Sequence, residues 1–286
     1  LGDVYKRQIS EKQKLRRLLE ENYLPKNRVY RYNFFYDNCT TRARDIIEKC
    51  IEGKVVYSEG KERLSFRDIV HQYTKGHEWD ELGIDMCLGS EADKPIDTRK
   101  QMFAPFYMLE AAKKATIVVG DSVRPLILHE KKVVDVEPED VREGFPLSPM
   151  VCVFILIGVT CFVGWLQFKI RKIIWIWDLL LFGVQGLAGC VITFLVFFST
   201  HPTVGSNWLI LLLNPIPLIY LPVMVYRAIK GKKDYYHTIN IVCLTSFMMI
   251  MPFIQQKFNV TVLPLALCLL ICSANHVLLY YRQNNK

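Results

Sequence analysis

Residues 32–45 read YNFFYDNCTTRARD. An aromatic run leads into Asp37-Asn38, then Cys39, then Thr40-Thr41 and a polar, helix-compatible stretch. Short Asn and Asp side chains bond nearby backbone amides, which suits them to turns and helix N-caps. The pattern therefore predicts a strand over 28–36, a turn at Asp37-Asn38, and a helix over 40–51 with Cys39 at its mouth. A thiol so placed faces unpaired backbone N–H groups and the positive end of the helix dipole, which favour a nucleophilic thiolate. Arg42 and Arg44 add positive charge, and Asn38, Thr40 and Arg42 are the expected supporting residues. The alternative is that Cys39 is a small buried residue on a capped helix, as free cysteines commonly are.

The flanking sequence continues a mixed, charged pattern. Residues 10–23 (SEKQKLRRLLEENY) predict an amphipathic helix, with Ser10 as N-cap, an apolar stripe of Leu15, Leu18 and Leu19, and a stop at Pro25. The first eight residues, LGDVYKRQ, resemble a translated sequencing-adapter end, so the natural N-terminus is expected further upstream. The lack of an apolar leader at residue 1 then says nothing about export. Residues 54–61 predict a loop. Residues 65–73 predict a helix with a capping box between Ser65 and Asp68. Gly76-His77 breaks it, residues 79–88 form a short mixed stretch, and 89–95 an acidic loop. A helix over 99–115 is interrupted near Pro105. Short strands are expected at 116–119 and 126–128, and a charged linker at 131–146.

The 286 residues are 51% hydrophobic and 22% charged, with a net charge of +8. That average conceals a division. Residues 9–130 read as a soluble domain, and 147–286 are dominated by long apolar runs over 147–166, 173–198, 208–226, 238–254 and 260–281. Each is near the ~20 apolar residues that span a bilayer. The third contains Asn214, Pro215, Pro217 and Pro222, so it is expected to kink or re-enter. Basic residues cluster at Lys169, Arg171 and Lys172, at Arg227, Lys230, Lys232 and Lys233, and at Arg282 and Lys286. The alternate loops are nearly free of them, which places the basic loops and the C-terminus in the cytoplasm and the soluble domain outside. The positive charge is thus an orientation signal, not a sign of nucleic-acid binding.

Six of the nine cysteines lie in the apolar runs, and no CxxC pair occurs, so a zinc or dithiol redox centre is not indicated. Cys50 and Cys87 could pair in an oxidising compartment. A cysteine nucleophile needs a base. His71 and His77, with His129 beyond, are alternatives within the chain, but the base is expected upstream. Asp85, Asp93 and Asp97 do not follow an EF-hand spacing and read as solvated loop carboxylates, so no metal is expected. The outer loop from Ser199 contributes His201, Asn207 and Asn214 on the same side as Cys39, as contacts to lipid head groups or to the thiol. Its alternative is a capped helix start with an interfacial Trp208. Asn275 and His276 fall toward the cytoplasmic end of the last segment, away from the chemistry.

The stretches YNFFYDNCTTRARD (32–45), SFRDIVHQY (65–73), WDELGIDMCLG (79–89), MFAPFYMLEAAKKATI (102–117) and HPTVGSNWLILLLNP (201–215) together resemble the Lnb family, the first four its N-terminal periplasmic domain. The resemblance covers nearly the whole chain after residue 8. It implies an incomplete α+β papain-like domain, of the permuted thiol acyltransferase type, followed by five transmembrane helices. It implies a lipoprotein N-acyltransferase of the bacterial inner membrane, with its soluble domain periplasmic and Cys39 as nucleophile. In permuted thiol acyltransferases the histidine precedes the cysteine, which matches a base upstream. The implied partners are a phospholipid or other acyl-lipid donor and diacylglyceryl lipoproteins, with no soluble cofactor. A cysteine hydrolase of the same fold (peptidase or lipase) and a non-catalytic envelope scaffold are the alternatives.

Overall fold

The structure is a computed structural model and describes residues 9–60, 63–131 and 145–284. The adapter-like start and the core of the expected linker lie outside the described residues. In chain order the elements are α1 (Ile9–Tyr23), α2 (Cys39–Cys50), β1 (Lys54–Val56), α3 (Phe66–Thr74), α4 (Glu78–Cys87), α5 (Thr98–Gln101), α6 (Pro105–Lys114), β2 (Thr116–Val119), β3 (Ser122–Pro125), α7 (Pro149–Ile170), α8 (Trp175–Phe197), α9 (Ile216–Ile229), α10 (Tyr235–Ile250) and α11 (Val262–Asn284). They form two compact units, Leu1–Val70 with Lys94–Arg142, and His71–Asp93 with Glu143–Lys286.

In the first unit, β1, β2 and β3 make an antiparallel three-stranded sheet. Ile117 pairs with Val55 on one side and Arg124 on the other. Val119 and Ser122 face each other across a two-residue turn whose Gly120 has φ +56°, a conformation that favours glycine. Buried Ile117 packs with Cys50 and Ile51, and Leu15 and Leu18 of α1 cover that cluster. Glu11, fully buried, accepts hydrogen bonds from Arg124 and from the Glu52 amide, so α1 is held to both β3 and the end of α2. Ser65 and Asp68 cap α3 reciprocally: each backbone amide donates to the other's side chain, at 3.0 and 3.1 Å. Pro105 separates α5 from α6, as its ring and missing N–H require.

Several local expectations are corrected. Residues 28–36 are not a strand. They fold into an irregular loop with one bridge, Asn33 to Asp37, and the Asn33 side chain accepts from the Phe35 and Tyr36 amides. The aromatic residues there fill a wedge instead of lining a sheet, since strand propensity measures fit to a half-buried surface. Residues 54–56 are a strand, the third strand lies at 122–125, residues 78–87 are helical, and Ser10 lies inside α1.

Among the described residues, five segments, all in the second unit, are long and apolar enough to cross a membrane: Pro149–Ile170, Trp175–Phe197, Trp208–Ile229, Tyr235–Phe253 and Val262–Gln283. The chain is thus a multi-pass membrane protein. As the prolines predict, the third is broken: a short 3-10 turn, Trp208–Leu211, precedes α9. Helix α11 packs on both α7 and α10, and α8 packs on α9. Gly186 and Gly189 create the α8–α9 seam. A Cβ on Gly189 would lie 2.3 Å from the Asn214 carbonyl oxygen, and one on Gly186 would lie 2.5 Å from the Leu218 Cβ. Small residues allow such backbone approach in lipid, where apolar burial gives little drive between helices.

By its contacts, the segment 71–93, expected in the soluble domain, groups with this second unit. The Gly89 amide donates to Thr203 O at 2.7 Å and the Ser90 amide to Ser206 O at 3.1 Å. Gln256 donates to Leu88 O at 3.2 Å. A Cβ on Gly89 would come within 2.6 Å of Ser206 backbone. The WDELGIDMCLG stretch is therefore a docking segment for two loops of the helix bundle.

The bundle interior holds a polar cluster. Asp178 of α8 is fully buried, with His276 Nε2 2.7 Å from one carboxylate oxygen and Cys272 Sγ 3.5 Å from the other. His237 stacks on His276 with ring centroids 3.8 Å apart and reaches Ser273 Oγ at 3.3 Å. Asn240 also donates to Ser273, at 2.9 Å. Asn275 instead lies over Gly164 of α7.

Candidate active site

Asn38 builds the mouth of α2. Its side-chain oxygen accepts from the Thr41 amide at 2.9 Å, and its own amide donates to Thr41 Oγ1 at 2.9 Å, a complete capping box. Its side-chain nitrogen donates to two carbonyls, Phe34 O and Phe103 O, each at 2.9 Å. With Asn38 only 4% exposed, this one residue fixes the helix start, the preceding loop and the segment before α6. Behind it lies a packed aromatic wedge: Phe35 is 4.5 Å from Phe66 and 5.1 Å from Phe103, centroid to centroid. Phe34 and Tyr36 extend the wedge to either side.

Cys39 is the first residue of α2 and its thiol is exposed. Among the described residues nothing covers Cys39 enough to bury it. Thr40 Oγ1 lies 4.0 Å from the sulfur and Thr40 itself is buried. Arg42 turns away to bind Asp37 through two hydrogen bonds of 2.7 and 2.9 Å, and its guanidinium stacks 3.4 Å over the Tyr30 ring. That pairing with Asp37 holds the guanidinium above its ordinary pKa. Arg44 is buried and donates to Asp45 and to Arg99 O, so it braces α2 against α5. Two aromatic residues of the 28–36 segment, given no role by the sequence pattern, emerge here. Tyr30 carries Arg42. Tyr32 lies within electrostatic reach of Cys39: partial burial first, then the cysteine and Tyr30, hold its phenol above the ordinary value.

Of the other expected residues, Asp97, Cys50 and His129 lie in the first unit and the rest in the second. His71 Nε2 lies 2.8 Å from Asp85 Oδ1, and Asn259 donates to Asp85 Oδ2 at 3.0 Å. His77 precedes α4 and faces Asp80 at 3.8 Å. Asp85 is buried, Asp93 accepts from the Lys257 amide at 3.1 Å, and Asp97 caps α5. Asp85 and Asp93 are engaged carboxylates and not the solvated loop groups expected, whereas Asp97 is exposed at the start of α5. Asn207 is 3% exposed: it donates to Met86 O at 2.7 Å, and its oxygen accepts from Leu209 and Gln256. Asn214 accepts from the Ile216 amide at 3.2 Å and so starts α9. His201 is exposed on its loop. Cys50 and Cys87 are free thiols, and burial raises the Cys87 pKa.

No curated protein and no solved structure matches the chain. Two family matches do. Residues 4–75, which include the Asn38–Cys39 elbow, match the Lnb N-terminal periplasmic domain, and residues 140–284 match the Lnb transmembrane domain. The matched spans cover Phe34, Phe35, Tyr36 and Phe66 of the aromatic wedge, the capped thiol and the five candidate membrane segments, and the chain belongs to the Lnb family.

Proposed function

We propose that this protein is a lipoprotein N-acyltransferase of the bacterial inner membrane, working through a thioester on Cys39. The observation that carries the reading is the exposed thiol at the first position of a helix whose N-cap is locked by four hydrogen bonds of Asn38. Family membership supplies the lipoprotein context.

The Cys39 thiolate attacks the carbonyl carbon of an acyl ester in a membrane lipid. The C–S bond forms, the ester C–O bond breaks, and the departing alkoxide takes a proton from the base. The lipoprotein's N-terminal amine then attacks the thioester. A C–N bond forms, the C–S bond breaks, and the amine proton returns to the base as the thiolate is regenerated. The first-turn amides of Cys39 and Thr40 lack intrahelical acceptors by helix geometry and would hold each oxyanion. Asn38 positions this turn, and Arg42 braces it through Asp37. The base is assigned to the region upstream of residue 9, following the histidine-before-cysteine order of permuted papain-like acyltransferases, the fold proposed for the complete soluble domain. The basic loops and the C-terminus face the cytoplasm in this reading, and the soluble domain faces the periplasm. His201 is the exposed outer-loop residue available to a lipid head group.

The test is to trap the intermediate. Full-length protein in lipid bilayers, quenched with acid, is expected to gain one acyl mass on Cys39 that neutral hydroxylamine removes and that Cys39→Ser lacks. No adduct on Cys39 would sink the proposal. Release of free fatty acid at the same rate with and without an amine acceptor would favour the hydrolase.

A further inference from the structure

At one end of the helix bundle a pocket lies between the last turn of α9, the 230–234 loop, the start of α10 and the C-terminal turns of α11. Its lining carries three cations, Arg227, Lys232 and Lys233. They stand where the span Trp208–Ile229 ends and the span Tyr235–Phe253 begins, at the level of a bilayer's head groups. We propose that this pocket binds the phosphate of an anionic phospholipid from the adjoining leaflet, the one that the loop charges read as cytoplasmic.

The cations converge and lack a counter-charge. Arg227 donates through Nη1 to Lys233 O at 2.7 Å, which ties the helix to the loop. Its other N–H groups have no partner among the described residues, and a guanidinium edge left open in this way grips a phosphate through two donors. Lys233 reaches Tyr281 Oη of α11 at 3.2 Å, and Lys232 reaches Tyr226 Oη at 3.5 Å, both neutral acceptors. No carboxylate pairs with any of the three among the described residues. Asp234 also lines the pocket, but its carboxylate is turned inward: Oδ1 accepts from Tyr220 Oη at 3.1 Å and from the Tyr236 amide at 2.9 Å, and Oδ2 is buried. Orientation by charge calls for basic residues, not for their gathering at a pocket. Lys169, Arg171 and Lys172 carry the same orientation signal and stand exposed, whereas Arg227 and Lys233 are half-buried. Basic pockets between membrane helices are suited to anionic head groups. The apolar part of the lining, Ile173, Ala228 and Val277, favours a lipid over a free phosphate, because acyl chains can lie along it and along exposed Ile229 beside it.

The experiment uses the full-length protein in detergent, stripped of co-purified lipid and titrated with phosphatidylglycerol, with phosphatidylcholine of the same chains, or with inorganic phosphate. Native mass spectrometry reads the bound lipid. Phosphatidylglycerol is expected to bind at one saturable site, roughly tenfold more tightly than phosphatidylcholine. Lys232→Gln should weaken it about fivefold, the usual worth of one cation near a lipid surface. Lys232 is exposed and makes one long contact to a tyrosine hydroxyl, so this variant reports on the ligand and not on folding. The pair Arg227→Gln with Lys233→Gln should abolish the preference for the anionic lipid. The pair Lys169→Gln with Lys172→Gln removes the same charge from the exposed loop and should leave the affinity unchanged. Equal affinity for the two lipids, undiminished binding in Lys232→Gln, or an equal loss in the Lys169 and Lys172 pair would overturn the proposal. Displacement of the lipid by millimolar inorganic phosphate would overturn it too, by assigning the pocket to a free anion.

Discussion

Asn38 ties the start of the Cys39 helix to Phe103: its side-chain nitrogen donates to Phe103 O at 2.9 Å while its oxygen caps the Thr41 amide. The contact joins residues 65 apart in sequence, so a single side chain transmits the position of the segment before α6 to the thiol. Asn38→Ala removes the cap and leaves buried carbonyls unpaired, at a cost of about 1–3 kcal/mol. Asn38→Ser keeps the cap but cannot reach Phe103. Chemical denaturation should rank the two variants in that order. Acyl transfer should fall in both, because the Phe103 tie is lost in both. Full activity in Asn38→Ser would show that the tie is dispensable.

The soluble unit should lose stability in alkali through Tyr57. Burial first, and then its hydrogen bond to Glu48, raise the phenol above its ordinary value near 10. Above that pH the unfolded chain releases the proton while the folded chain retains it, so stability falls as pH rises. Tyr57→Phe has no such proton and should flatten the decline above pH ~10. Denaturation midpoints of the two proteins across that range check this, and parallel curves would refute it.

Within the membrane unit, the Asp178–His276 pair is the group whose loss should be felt most. Removing one partner of a buried ionisable pair leaves the other without compensation, which typically costs about 3–5 kcal/mol. Asp178→Ala should lower the thermal midpoint in detergent sharply. Asp178→Asn, which keeps an acceptor for His276, should lower it less. Equal midpoints for wild type and Asp178→Ala would remove the pair from the account of bundle stability.

What the sequence disclosed, and what it hid, follows from the range of the interactions. The α2 start was legible because a cap is local: Asn38 and Thr41 are three residues apart. The same holds for Ser65 with Asp68, for the break at Pro105, and for the membrane spans, whose apolar length is a property of each segment alone. The 28–36 loop was misread because its aromatic residues find their partners at Phe66 and Phe103, which no local pattern announces. Placement of residues 71–93 depended on backbone bonds to loops more than 100 positions away, as between Ser90 and Ser206. Asp178 and His237 were overlooked as lone polar residues in apolar runs. An intramembrane ionisable group is itself a signal that a partner exists, and His276 could have prompted the search for one.

The central claim is that Cys39 carries the acyl group. The most direct measurement is mass spectrometry of lipoprotein N-terminal peptides from cells whose only N-acylating protein is the full-length form of this one, wild type or Cys39→Ala. The account predicts N-acylated peptides with the wild type and only free N-terminal amines with the variant, at matched levels of membrane-inserted protein. N-acylated peptides at wild-type abundance in the variant would contradict it.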